Sequence, residues 1–150
     1  MHIQLVPFDN EHQPAIRAVR NAVFIEEQHI SPELEFDGLD DDAIHVLLSI
    51  DGQWAGTGRM LADGHIGRIA VRKECRGLGL GARVVQALVD EAARRGLDRV
   101  WLGAQKYATG FYRKLGFTPY GDEFLDAGIV HVHMKKALQH DHTNSTKNPD

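Results

Sequence analysis

The sequence predicts an α+β domain: a mixed, mostly antiparallel central sheet of about seven strands, flanked by helices. Three observations carry that prediction. Between residues 43 and 71, short β-rich runs are separated by Asp51-Gly52 and Asp63-Gly64, two Asp-Gly pairs of the kind that close hairpins. Residues 75–82, Cys-Arg-Gly-Leu-Gly-Leu-Gly-Ala, then open a segment with helical apolar spacing. A strand, a helix and two more strands follow, an order that repeated βαβ units would not produce.

Taken in order, residues 2–7 read as a first strand. Ile16, Val19, Val23 and Phe24 then fall at helical spacing, which predicts a helix over residues 14–26. Glu33, Glu35, Asp37, Asp40, Asp41 and Asp42 follow, broken by Pro32 and Gly38, so residues 31–42 read as an acidic loop. Such a loop is either a solvated face or a surface that focuses negative potential on a cationic substrate. Strands are expected over 43–50, 54–62 and 65–71. Leu80, Val84, Leu88 and Ala92 mark one face of a helix that stops near Gly96. A strand over 99–102, a helix over 105–115 and strands near 117–120 and 129–135 complete a single domain over residues 1–138. Residues 139–150 are polar without an apolar period and read as an unstructured tail, where His140 and His142 are incidental.

Composition bounds the function. A chain of 150 residues suffices for one core, and 43% hydrophobic with 25% charged residues is ordinary for a globular domain. A net charge of -4 supplies no basic face for sequence-independent nucleic-acid binding. The opening, MHIQLVPFDNEHQ, resembles neither a leader nor a membrane span, so the expectation is a cytoplasmic monomer or homodimer with no membrane partner. Cys75 has no second cysteine to pair with and reads as a passive small residue. His45, and His131 with His133 two residues apart on a strand, do not make a convincing metal set, so no metal is expected.

Gly-Leu-Gly-Leu-Gly-Ala satisfies the Gly-x-Gly-x-x-Ala fingerprint of a dinucleotide loop, but its context does not. Residues 72–76 separate it from the end of the preceding strand, and Asp98 precedes the next strand instead of ending it. Without Gly-Lys-Ser/Thr it is not an NTP loop either. What remains is a backbone able to approach an anion at a helix start, with Arg76 at its rim. Coenzyme A carries such a pyrophosphate. The structural alternative is that the glycines only permit tight packing of strand on helix.

Read as Arg76-x-x-Gly79-x-Gly81 after Ile69-Ala70-Val71, the segment resembles the acyl-CoA signature of the GNAT superfamily of N-acetyltransferases. Gln105-x-x-Ala108-x-x-Phe111-Tyr112, then Lys114-Leu115-Gly116-Phe117, resembles that family's second motif in register with the first, with Gln105 in place of the usual asparagine. The likeness covers roughly residues 1–137. Val23-Phe24-Ile25-Glu26-Glu27-Gln28, Glu35-x-Asp37-x-x-Asp40 and Ala43-x-His45 resemble a bacterial subgroup of the family.

The resemblance implies acetyl transfer from acetyl-CoA, as cosubstrate, to a small amine or a lysine-like or N-terminal amine, by direct attack without an acyl-enzyme. It implies that Arg76, Gly77, Leu78, Gly79, Leu80 and Gly81 hold the pyrophosphate. Ile69, Ala70 and Val71 would line the pantetheine arm, which enters a splay between strands near Val71 and Val100, with Gln105 and Ala108 contacting it. A backbone N–H of Ile69 or Val71 would face the developing oxyanion. Tyr112 stands at the general-acid position, with Tyr107 as runner-up; either is otherwise an aromatic at the edge of the core. His65 lies where some members carry a catalytic glutamate. Strand alternation puts it on one face with Gly67, Ile69 and Val71, although a turn histidine after Asp63-Gly64 is equally a bystander. Glu27 and Gln28, at the end of the first helix, are the acceptor-side candidates. The rival from another class is a CoA-binding sensor or partner-binding module without turnover, and an NAD-dependent oxidoreductase ranks third.

Overall fold

The computed structural model describes residues 1–139. The expected tail, with His140 and His142, lies outside them from residue 140 onward. The strands are β1 (His2–Val6), β2 (Ile44–Ile50), β3 (Gln53–Met60), β4 (Ile66–Val71), β5 (Arg99–Gln105), β6 (Thr118–Asp126) and β7 (Ile129–Ala137). The helices are α1 (Gln13–Arg20), α2 (Pro32–Glu35), α3 (Leu80–Arg94) and α4 (Thr109–Lys114). The seven strands pair antiparallel, as β1-β2-β3-β4 and β5-β7-β6, so the predicted α+β class holds with two sheets in place of one. Among the described residues a parallel relation is confined to an isolated bridge between His65 and Trp101.

The first compact unit comprises residues 1–62 and 66–88. Its core forms where the spacing of Ile16, Val19 and Val23 presents one apolar face: Ile16 packs with Val6 and Leu47, and Val19 and Val23 with Ala70. The predicted helix over 14–26 changes character midway. α1 ends at Arg20 and residues Asn21–Glu27 continue as a π-helical turn, closed by the Gln28 N–H donating to the Val23 carbonyl at 3.0 Å. Apolar spacing reports which face is buried and not which carbonyl each N–H reaches, so this change was not readable.

On β3, Gly58 faces α3 so closely that a Cβ there would stand 2.6 Å from Val84 Cγ1 and 2.7 Å from Ile69 Cδ1. Gly58→Ala is therefore expected to cost about 1–3 kcal/mol by overpacking, read as a lower urea midpoint at unchanged m-value.

Among the described residues the second unit comprises residues 63–65 and 89–139. Val100, Leu102 and Ala104 alternate along β5 into its core, where Phe117 and Met134 are also buried. β5 and β6 run longer than the sequence predicts. β6 reaches Asp126 and turns through Ala127 and Gly128, both left-handed with φ +52° and +77°, into Ile129, the two-residue reversal of a type I′ hairpin. Alanine in the first position hid that turn.

Candidate active site

In the first unit the glycine segment is a loop between β4 and α3. A 3-10 turn, Lys73–Cys75, leaves β4, and Arg76 is extended. Gly77 and Gly79 then take φ of +86° and +75°, conformations open to glycine at no steric cost, and the space where their Cβ atoms would stand is empty. Leu78, between them, is exposed, whereas Leu80 turns inward as the first residue of α3 and Gly81 follows within the helix. Alternating left-handed residues before a helix start turn successive amide N–H groups outward, a cradle for an anion.

β4 itself is not regular. Thr57 pairs with Ala70 but Arg59 with Gly67, so Arg68 and Ile69 together oppose Gly58, and Arg68 has φ +52°. Two corrections to the expectations for His65 follow. The strand begins at Ile66, one residue after it, and the bulge breaks the alternation that placed His65 on one face with Ile69 and Val71.

Arg76 is anchored at both ends of its guanidinium. Its Nε donates to the Val71 carbonyl at 3.1 Å, and Nη1 and Nη2 donate to the two carboxylate oxygens of Glu27, each at 2.6 Å. The hydrogen bonds and charge of Arg76 hold the Glu27 carboxyl below its ordinary range, against the opposing effect of partial burial. Gln28, the next residue, has its side-chain Oε1 buried with no partner.

The acidic segment is solvated only in part: Glu33, Asp41 and Asp42 are exposed, whereas Glu35, Asp37 and Asp40 are tied into an arginine network. Glu35 and Asp40 are buried, 2% and 6% exposed, and both bind Arg20, itself 1% exposed. Arg20 Nη2 lies 2.7 Å from Glu35 Oε1 and its Nη1 2.7 Å from Asp40 Oδ1. Arg59 joins Asp37 at 2.8 Å and Asp40 at 3.0 Å, and Arg68 from the β4 bulge joins Glu35 at 3.0 Å and Asp37 at 3.2 Å. Three arginines thus meet three of the six carboxylates, Glu35, Asp37 and Asp40, while Glu33, Asp41 and Asp42 stay exposed. His45 Nε2 reaches the Asp40 carbonyl at 3.0 Å, and burial lowers its pKa, favouring neutral imidazole.

In the second unit, His65 stacks flat on Trp101, with centroids 3.8 Å apart and 8° between planes. Gln105 ends β5 and opens the 3-10 turn Lys106–Ala108, and Ala108 caps α4. Tyr112, one turn into α4, is partly buried and meets Phe111 and Phe117 edge-on at 4.9 Å and 5.9 Å. Burial, with a smaller contribution from Tyr107, pushes its phenol up to about 12. Tyr107 is 81% exposed. His133 stacks with Phe124 and His131 lies tilted beside it, and Phe124 rests over the bare backbone of Gly103.

The acetyltransferase (GNAT) domain family matches residues 12–138. Among relatives, the chain is 38% identical over 122 residues to the uncharacterized N-acetyltransferase YjcF of Bacillus subtilis, covering 79% of this chain and 87% of that one. It is 37% identical over 144 residues to the uncharacterized protein YyaT of the same organism, covering 92% and 97%. Among solved structures, an acyl-CoA N-acyltransferase from Pseudomonas aeruginosa superposes with a TM-score of 0.81 at 29% identity, over 91% of this chain and 100% of that one. With the glycine loop in place after β4 and the second motif spanning the end of β5 and α4, these matches make the chain a member of the GNAT acetyltransferase family.

Proposed function

We propose that this acyltransferase moves an acetyl group from acetyl-CoA to a small amine, or to a lysine-like or N-terminal amine, by direct attack in a ternary complex. The observation that carries the reading is the loop over residues 76–81: two left-handed glycines ahead of a 15-residue helix, in open space an anion can enter. Those amides would take the pyrophosphate, and Ile69, Ala70 and Val71 the pantetheine arm, with Gln105 and Ala108 contributing from the second motif. The β4 bulge supports an oxyanion role for a backbone N–H near Ile69, because an interrupted ladder leaves a backbone group turned off its partner strand. Tyr112, its phenol pushed up by burial, is the hydrogen-bond donor to the departing sulfur. Gln28, with a buried and unpartnered amide oxygen, is the acceptor-side residue this reading retains. His65, stacked on Trp101, is the candidate base of this reading.

Among the described residues no helix is long and apolar enough to cross a membrane. The reading sets the enzyme in the cytoplasm, where acetyl-CoA is made and used.

Incubation with acetyl-CoA and a panel of primary amines, monitored as free thiol, is expected to show release above hydrolysis for at least one of them. Coenzyme A binding without release on any amine would favour the sensor instead. Thermal stabilisation by NAD and not by acetyl-CoA would overturn the reading.

A further inference from the structure

We infer that Glu27 is a positioning residue of the donor loop, which it fixes through Arg76, and not a contact for the acceptor amine. This rests on the proposed use of residues 76–81 as the pyrophosphate cradle. A cradle built on Gly77 and Gly79 gains freedom of approach and loses rigidity, since glycine leaves more conformations to be given up on binding. Its geometry has to be fixed from outside, and the attachment sits at its first residue. Arg76 Nε ties to the last residue of β4, and the two Nη groups tie to the last residue of the π-helical turn. A planar fork meeting a carboxylate with both nitrogens sets direction as well as distance, which a single contact cannot do. Glu27 commits both oxygens to that fork, which leaves it poorly placed to receive an ammonium group.

The helix geometry agrees. A carboxylate at a helix C-terminus faces partial negative charge and is disfavoured there, so Glu27 needs a compensating cation, and Arg76 is that cation. The pair is partly exposed, with side chains 42% and 32% accessible, so its contribution is modest and weakens with salt.

The test compares wild type with Glu27→Ala and Glu27→Gln, reading the Kd of coenzyme A by calorimetry, amide exchange of residues 77–81, and the KM of acetyl-CoA and of the best amine from the panel. Glu27→Ala is expected to weaken coenzyme A by about 3- to 5-fold, to speed exchange in the loop and to leave the amine KM unchanged. Glu27→Gln, whose amide oxygen still accepts one Nη–H, is expected to recover part of the loss. The inference fails if both variants tighten coenzyme A equally, since the carboxylate would then be masking a cation that the pyrophosphate wants. It also fails if coenzyme A is unaffected while the amine KM rises, which would make Glu27 an acceptor contact. If wild type binds no coenzyme A, the proposed donor site itself is wrong.

Discussion

Arg20→Ala is expected to lower the unfolding free energy by about 3–5 kcal/mol and the melting temperature by about 6–20 °C. The loss comes less from the removed attraction than from what remains. Glu35 and Asp40 would be buried beside Arg59 and Arg68 with one cation too few, and Glu35 would lose the Nε donor at 2.9 Å and the Nη2 ion-pair contact at 2.7 Å. Arg20→Lys is expected to recover less than half of the loss, because one ammonium cannot serve Glu35 and Asp40 in the fork geometry that Arg20 uses. The pH dependence carries a sign. Asp37 is held below the usual carboxylate range chiefly by its hydrogen bonds from Arg59. Burial would raise Asp40, but Arg20 and then Arg59 outweigh it and hold its carboxyl low as well. Groups depressed in the folded state contribute stability that is complete above their unfolded value near 4 and lost as pH falls below it. The gap between wild type and Arg20→Ala should therefore be widest at neutral pH and narrow below about pH 4. A loss under about 1 kcal/mol in urea would mean that water enters and resolvates the acids, and the network would not be the fastener described here.

That network also shows what could and could not be read from the letters. The Asp-Gly turns, the apolar face of α1 and the two motifs in register placed most of the strands and helices and the glycine loop between β4 and α3, because each is a local pattern. The fate of Glu35, Asp37 and Asp40 was not local. Their partners come from α1, β3 and the β4 bulge, between 15 and 33 residues away along the chain, and a run of acids without those partners looks solvated. The bulge was hidden for a related reason. Strand alternation assumes an unbroken ladder, and a single inserted residue at Arg68 is enough to move His65 off the face that carries Ile69. Nothing in the sequence joins Glu27 to Arg76, 49 residues later, so the pairing on which its inferred positioning role rests was not readable either.

Tyr112→Phe is expected to lower kcat by about 10²-fold, the low end for loss of an acid catalyst, with the KM of acetyl-CoA nearly unchanged. The low end follows from the environment of the phenol. With its pKa pushed up to about 12, Tyr112 is a weaker acid than an ordinary thiol near 8.5, and complete proton transfer to the departing thiolate is uphill by roughly 5 kcal/mol. In the proposed reaction its contribution is then a hydrogen bond to sulfur as negative charge develops, while the proton that finally neutralises the thiolate comes from a stronger acid, the positively charged nitrogen of the tetrahedral adduct. The same environment fixes the pH behaviour. An ordinary tyrosine begins to ionise near pH 10, whereas Tyr112 stays protonated there, so wild-type kcat should not fall between about pH 9 and 10.5 on its account. Stability follows with the same sign. A phenol whose folded value is raised contributes stability that is complete below its unfolded value near 10 and disappears as pH rises through about 12, a loss that Tyr112→Phe should not show. A falling limb near pH 10 in wild type that vanishes in Tyr112→Phe would contradict the raised value while keeping the role. An unchanged rate in Tyr112→Phe at every pH would remove the role, and with Tyr107 81% exposed and outside the packed edge of α4, Tyr107→Phe is then the variant that should carry the loss.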